Sequence, residues 1–381
     1  MDKSARIYVA GHRGLAGSAL LRRLQARGYR NLITYSRAAL DLTDRAAVRD
    51  FFQSERPDYV FLAAAKAGGI LANRDQPALF IQQNLFIQTN VIDEAQRAGV
   101  KRLLFLAASC IYPRDAAQPI GESSLLTGPL EFTNEPYAVA KIAGVEMCWA
   151  YNRQYGTKYL VAVPNNLYGP GDNYDPQNSH VVAGLIRKFH EAKFSRQPSA
   201  VSPRHSALST PHSASGGAGG HPSSLIPHPS RRDDAVVLWG TGTPRRELLY
   251  SDDMADACVM LMELPDAQFN DLLGPQSSAL STQHSALGTE QGLSTQHSAP
   301  QPPLVNIGCG EDCTIKTLAE KIRDIVGFKG EIEWDASKPD GTPRKLLDSS
   351  RITSLGWVPG TSLEAGLRKA YEDFLARRGA A

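Results

Sequence analysis

"RIYVAGHRGLAGSALLRRLQARG", residues 6–28, sets a short apolar run before a glycine-dense turn and then a segment whose Leu and Ala recur at intervals of three and four. The opening run suits a buried strand. The segment from Leu15 onward suits a helix with one apolar and one basic face. Between them Gly11, Gly14 and Gly17 keep the spacing G-x-x-G-x-x-G. A turn without side chains lets backbone N–H groups and the start of a helix approach a diphosphate, whose charge the helix dipole favours. Alone, such glycines are weak evidence; here they lie where a strand hands over to a helix, the context the motif requires.

Outward from this turn the pattern repeats. The apolar runs "LITYS", "YVFLAAA", "RLLFLAAS" and "KYLVAVP" alternate with helical patterns such as "NLFIQTNVIDEAQRAG". Strand, helix, strand in repetition implies an α/β fold, a Rossmann-type doubly wound parallel sheet covered on both faces. Residues 1–164 are expected to form the dinucleotide-binding Rossmann domain, with a returning segment near 247–264. Residues 165–381 are expected to form a smaller α/β substrate-binding domain. Two stretches, 195–234 and 275–303, are dense in Ser, Pro, Gly and His and share the phrases "HSALSTPHSA" and "SALSTQHSA". They lack the apolar content that offsets chain ordering, so they are expected to be mobile insertions in surface loops. No thiol or carboxylate cluster accompanies their histidines, and no metal site is expected.

The chain has 381 residues, with 41 Lys and Arg against 39 Asp and Glu, a formal net charge of +2. That balance predicts no general attraction to nucleic acid or to an anionic membrane. The five cysteines, 110, 148, 258, 309 and 313, form no regular framework, which suggests reduced thiols and a cytoplasmic location. The N-terminus runs straight into strand-like sequence, with neither a secretion signal nor a membrane span expected.

At the end of the second strand, "TYSRAALDL" places Ser36 and Arg37 where an acidic residue would hold a ribose diol, and Arg13 lies in the glycine turn. Guanidinium groups there suit a 2'-phosphate and hence NADPH. The other reading makes them two ordinary surface arginines. Asp41, slightly further on, is placed to meet the adenine edge.

"NEPYAVAKIAG" puts Tyr137 and Lys141 four apart, on one face of a helix. An ammonium beside a phenol is expected to lower its pKa, so that Tyr137 can protonate an alkoxide forming on a substrate carbonyl. As a lone pair this is commonly structural. Together with the glycine turn and a strand ending in Ser109-Cys110, it resembles the extended short-chain dehydrogenase/reductases from residue 6 onward.

Cys110 is not needed by a reductase, and alone it would read as one more small buried residue. The segment "PNNLYGPGDNYDPQNSHVVAGLIRKFHEA" offers His180 as a partner. A thiolate can remove a proton from carbon beside a ketone while an imidazolium donates one on the opposite face, which inverts a stereocentre. With "GHRGLAG", "AAAKAGGI", "SCIYP", "NEPYAVAKIAG", "NLYGPGDNYDPQNSHV", "WGTGTPRREL" and "SKPDGTPRKLLD", the chain resembles the GDP-L-fucose synthase family.

That resemblance implies an NADPH-dependent epimerase-reductase acting on GDP-4-dehydro-6-deoxy-D-mannose, usually as a homodimer. It implies Tyr137 as reductive proton donor, Lys141 as its cofactor-bound partner, Cys110 as epimerisation base, His180 as acid, and Ser109 as a helper at the reacting oxygen. The cofactor would meet Gly11, His12, Arg13, Gly14, Leu15, Ala16 and Gly17, then Arg37 and Asp41. Further contacts would come from Leu106, Ala107 and Ala108, from Pro164, Asn165, Asn166 and Leu167, and from Lys141 and His180. Lys188, Trp239, Arg246, Asp340 and Lys345 would hold the GDP-sugar. In one place the chain departs from the family, which has Ser-Ser-Cys where this sequence reads Ala108-Ser109-Cys110. Either Ser109 serves from the next position or one hydrogen bond to the reacting oxygen is missing. A nucleotide-sugar epimerase or dehydratase on the same fold, and a sugar-nucleotide-binding scaffold with impaired catalysis, are the alternative readings.

Overall fold

In the computed structural model, successive residues of strand β1 (Ile7–Ala10) point into two different cores, Ile7 and Val9 into one and Tyr8 and Ala10 into the other. The structure describes residues 1–176, 178–195, 235–274, 302–338 and 340–379. Apart from Ser195, Pro302 and Pro303, the two repetitive stretches lie outside the described residues.

β1 is flanked by β2 (Leu32–Ile33) and β3 (Tyr59–Leu62), followed by β4 (Arg102–Leu106), β5 (Tyr159–Pro164) and β9 (Leu304–Ile307). The order β2-β1-β3-β4-β5-β9 is parallel throughout, the expected doubly wound sheet. Leu104, Leu160 and Val305 join Ile7 and Val9 beneath helices Leu15–Ala26 and Ser251–Glu263. Leu103, Phe105, Val161 and Val163 join Tyr8 beneath helices Arg45–Glu55, Pro77–Arg97 and Glu135–Tyr155. Burial on both faces explains why these strands read as continuous apolar runs. Each fully buried aliphatic or aromatic side chain contributes about 1.5–3 kcal/mol. The basic face of Leu15–Ala26 does not look only to solvent: Arg22 and Arg23 pair with Asp252 and Asp256 of the returning helix.

The second lobe is built on β8 (Arg245–Tyr250), which runs parallel to β6 (Asn166–Tyr168) and β12 (Arg344–Lys345) and antiparallel to β10 (Asp312–Thr314). β7 (Ala235–Trp239) pairs with β11 (Glu331–Asp335). Helices Val181–Phe194, Ile315–Val326 and Leu363–Gly379 close a third core around Phe189, Leu318 and Phe374. The half of the chain after residue 164, expected above to build this lobe, also supplies β9 together with Leu272 and Ile352 of the first core. The chain therefore crosses between the lobes several times. In an open parallel sheet, ligands bind outside the carboxyl ends of the strands where the order reverses. Here that is the space above β1, β3, β4 and β5.

Candidate active site

The turn after β1 is shaped by contacts that exclude side chains. Gly11 has φ +85°, and a Cβ there would lie 2.8 Å from the backbone of Ala64; a Cβ on Gly17 would press into the carbonyl of Gly11. Gly14 caps the helix with no side-chain hydrogen bond, and the first turn, which begins with Leu15 and Ala16, holds no acidic residue. A Cβ at Gly14 would meet nothing nearer than the Gly11 oxygen at 3.5 Å. His12 keeps a buried Nδ1 without a partner, and burial holds its pKa below the ordinary imidazole value. A helix start without a side-chain cap, a turn carrying glycine at three positions and an exposed Arg13 fit an anionic dinucleotide. Arg37 is also exposed and lies 3.8 Å from Asp41. Asp41 Oδ1 accepts from the amide and hydroxyl of Thr43 at 2.9 and 2.8 Å, and these bonds lower its pKa.

Tyr137 and Lys141 share one face of helix Glu135–Tyr155, which lies close against β4 because a Cβ at Gly144 would collide with Phe105. Tyr137 meets Phe80 edge to face at 6.3 Å. Lys141 Nζ donates to the carbonyl oxygen of Leu106 at 2.7 Å and sits 5.9 Å from the centroid of the Tyr137 ring. The expected lowering of the phenol is not what the geometry produces. Burial, with Cys110 nearby, raises the Tyr137 pKa, and burial lowers Lys141 to about 8. The ammonium is aimed at β4 rather than at the phenol oxygen. A phenol that stays protonated remains a competent donor, because an alkoxide is far more basic than a phenolate.

β4 ends with Leu106 and Ala107 buried and Ala108 extended and partly exposed, then tightens into the single turn Ser109–Ile111. Cys110 is 7 % exposed. Burial raises its pKa, while the charges of Lys345 and Lys141 pull it down. Ser109 Oγ donates to Asn165 Oδ1 at 3.1 Å. The single hydroxyl hydrogen is thereby directed into the protein, away from the role at a substrate oxygen considered above. Asn165 follows Pro164, the buried last residue of β5, and its Nδ2 donates to Glu247. Asn166 Nδ2 reaches the main chain of Glu247 at 3.1 Å, and Leu167 pairs with Leu249 across β6 and β8.

His180 immediately precedes helix Val181–Phe194. The residue is exposed, while the protein atoms around its imidazole lower its pKa. The "AGGI" loop lies against this segment: Gly69 N–H donates to the carbonyl of Asn178 at 3.3 Å, and a Cβ on Gly69 would come within 2.9 Å of the carbonyl of Ser179. No hydrogen bond joins His180 to Cys110 among the described residues. Lys188 lies two turns further along the same helix, its pKa lowered by burial and by Arg187.

Lys345 on β12 pairs in register with Arg246 on β8. Burial lowers the pKa of both. Among the described residues Lys345 has no ion-pair partner. Arg246 is held by the carbonyl of Thr342 at 2.6 Å. Trp239, at the end of β7, is 51 % exposed, with Lys338 5.9 Å from its ring centroid. Asp340 accepts from the amide and hydroxyl of Thr241 at 3.0 and 2.7 Å, which ties the loop after Trp239 to the loop before Arg344. Cys110 thus interacts electrostatically with Tyr137, Lys141 and Lys345, and Arg246 with Lys345. Sequence reasoning missed Glu247, which is fully buried; the available signal was an acid set into the apolar strand "RRELLY". Among the described residues no His, Cys, Asp and Glu gather as a metal-ligand set, and no helix is long and apolar enough to cross a membrane.

A model of the NAD dependent epimerase/dehydratase family matches residues 7–205 and 197–271. The chain is 47% identical to GDP-L-fucose synthase 1 of Arabidopsis thaliana over 98% of its own length and 94% of that protein's. It is 45% identical to GDP-L-fucose synthase of Escherichia coli (strain K12), covering 97% and 96% of the two chains. Among solved structures it is similar to MlghC, a GDP-mannoheptose C4 reductase from Campylobacter jejuni with NADP bound, at 35% identity and TM-score 0.75, covering 98% and 99%. The chain belongs to the NAD dependent epimerase/dehydratase family and, within it, to the GDP-L-fucose synthases.

Proposed function

We propose that the chain converts GDP-4-dehydro-6-deoxy-D-mannose to GDP-L-fucose by epimerisation at C3 and C5 followed by reduction at C4. The observation that carries this reading is that Cys110, just after β4, lies within electrostatic reach of Tyr137 and Lys141 on helix Glu135–Tyr155 and of Lys345 on β12, while Lys141 is bonded to Leu106 of the same sheet whose β1 leads into the glycine turn. The turn from Gly11 to Gly17 would hold the diphosphate of NADPH, Arg13 and Arg37 its 2'-phosphate, and Lys141 its nicotinamide ribose. NADPH, when bound, supplies the hydride for C4.

The 4-keto group acidifies the protons on C3 and C5, since each carbanion delocalises to an enolate. Cys110 as thiolate takes a proton from one face, and His180 as imidazolium returns one to the other. Tyr137 stabilises the charge developing on O4 and gives its proton to that oxygen at the reductive step. Lys345 supports the thiolate, and with Lys188 and Arg246 it offers positive charge to the diphosphate of the substrate. Trp239 presents an indole face to the nucleotide. Ser109 acts inside the protein rather than on the sugar. On this reading the Rossmann sheet carries the cofactor and the lobe around β8 carries the GDP-sugar.

A homodimer is part of the proposal. Helices Pro77–Arg97 and Glu135–Tyr155 pack together and leave Leu79, Phe86 and Val139 exposed on their outer side, a surface that a second copy would cover.

The test mixes purified protein, NADPH and GDP-4-dehydro-6-deoxy-D-mannose, follows nicotinamide absorbance and identifies the sugar by NMR. GDP-L-fucose supports the reading. GDP-rhamnose would mean reduction without epimerisation, and cofactor binding without turnover would mean a scaffold.

A further inference from the structure

We infer that Glu247 is a positioning residue for the thiol site: through Asn165 it fixes the Ser109 hydroxyl and the turn bearing Cys110, and it holds Lys345 alongside. The inference rests on the proposed role of Cys110 as base.

Glu247 is fully buried, where an unpaired carboxylate would be strongly destabilising. It is satisfied instead by three N–H donors from three separate segments. Oε1 accepts from Gly310 at 2.7 Å, and Oε2 accepts from Leu347 at 3.0 Å and from Asn165 Nδ2. Gly308 can only be glycine here, because a Cβ would strike the same carboxylate. One side chain of β8 therefore joins the β5–β6 connection, the β9–β10 loop and the segment after β12.

The consequence for the site follows from donor and acceptor inventory. A carboxylate accepts only, so it admits one orientation of the Asn165 amide, with the NH2 toward Glu247. Asn165 Oδ1 must then face the other way. There it collects the Ser109 hydroxyl at 3.1 Å, the Asn166 amide at 3.0 Å and Asn166 Nδ2 at 3.2 Å. Ser109 is the first residue of the turn whose second residue is Cys110. The same Asn165 NH2 reaches the carbonyl of Lys345 at 3.3 Å. Thiol and cation are thus registered against each other by one amide, and that amide by one carboxylate.

Glu247→Gln breaks this logic, because its NH2 must face one of the N–H donors, and with the NH2 toward Leu347 and Asn165 the Asn165 amide turns over. In D2O, with GDP-4-dehydro-6-deoxy-D-mannose, Glu247→Gln should slow deuterium entry at C3 and C5 by about tenfold or more, a loss typical of a displaced reacting group. KM for the GDP-sugar and NADPH affinity should stay within about twofold of wild type. The double variant Glu247→Gln/Asn165→Ala should be no slower than Asn165→Ala alone, since both act through the same amide. Iodoacetamide alkylation of Cys110, followed on its own peptide by mass spectrometry, should shift to higher pH in Glu247→Gln; a purely stabilising role would leave that profile where it was. If Glu247→Gln does not fold, Glu247→Asp carries the same measurements, with a smaller shift in the same direction. Exchange and alkylation matching wild type, or additive losses in the double variant, overturn the inference. Failure of the wild type to exchange deuterium would overturn the proposed function instead, and the alkylation profile would still decide the role of Glu247.

Discussion

Lys141 anchors its ammonium to the carbonyl of Leu106 at 2.7 Å, so the cation beside Tyr137 is held by the end of β4 and not by the phenol. Lys141→Met should leave that carbonyl without its buried donor and remove the cation proposed to hold the nicotinamide ribose. Single-turnover oxidation of NADPH should slow by roughly 10²-fold or more, the usual scale for losing a positioned acid–base group. A rate within about threefold of wild type would remove Lys141 from the chemistry.

Ala108 is extended and solvent-accessible just before the Ser109–Ile111 turn, while Ser109 gives its hydrogen to Asn165. On the proposed reading, Tyr137 is then the side-chain donor left to the reacting oxygen. Losing one preorganised donor commonly costs about 10² to 10³ in rate. Ala108→Ser should restore part of that and accelerate NADPH oxidation by about tenfold or more. An unchanged rate would show that no donor is wanting.

The epimerising pair needs Cys110 as thiolate and His180 as imidazolium. Burial raises the first pKa above its ordinary 9.0 and lowers the second below its ordinary 6.5. The required combination then exists as a small, constant fraction between the two values and declines outside them. As pH falls below the imidazole value, the thiolate is lost without gain of imidazolium. As pH rises above the thiol value, the imidazolium is lost without gain of thiolate. Deuterium exchange should be level across neutral pH, with the acid limb below 6.5 and the alkaline limb above 9.0. Limbs inside that window would contradict the assignment.

Two glycines of the first turn should separate folding from binding. A Cβ at Gly17 would meet the backbone of Gly11 and lie 2.9 Å from His12 Cα, so Gly17→Ala should lower the melting temperature as well as NADPH affinity. Overpacking of this kind costs about 1–3 kcal/mol. At Gly14 the nearest atom is 3.5 Å away, an ordinary contact. Gly14→Ala should keep the melting temperature and still weaken NADPH, because its methyl group occupies the space facing the diphosphate. Equal behaviour of the two variants would move the cofactor elsewhere.

The parallel sheet was legible because β1, β3, β4 and β5 are buried on both faces and so read as uninterrupted apolar runs. The glycine turn and the Tyr137–Lys141 pair were legible because their chemistry depends on short fixed spacings. What escaped was long-range. Glu247 meets Asn165, Gly310 and Leu347 across separations of 82, 63 and 100 residues, and no local pattern announces such a junction. The direction of the Tyr137 shift escaped for a similar reason, since helical spacing places Lys141 nearby without saying that Leu106 claims its ammonium.

The central claim is that one site exchanges protons at C3 and C5 before hydride reaches C4. The most direct measurement is the isotopic content of the sugar formed by the wild-type protein from GDP-4-dehydro-6-deoxy-D-mannose and NADPH in D2O. GDP-L-fucose carrying deuterium at both C3 and C5 is the expected result, and a reduced hexose with protium at those carbons would contradict it.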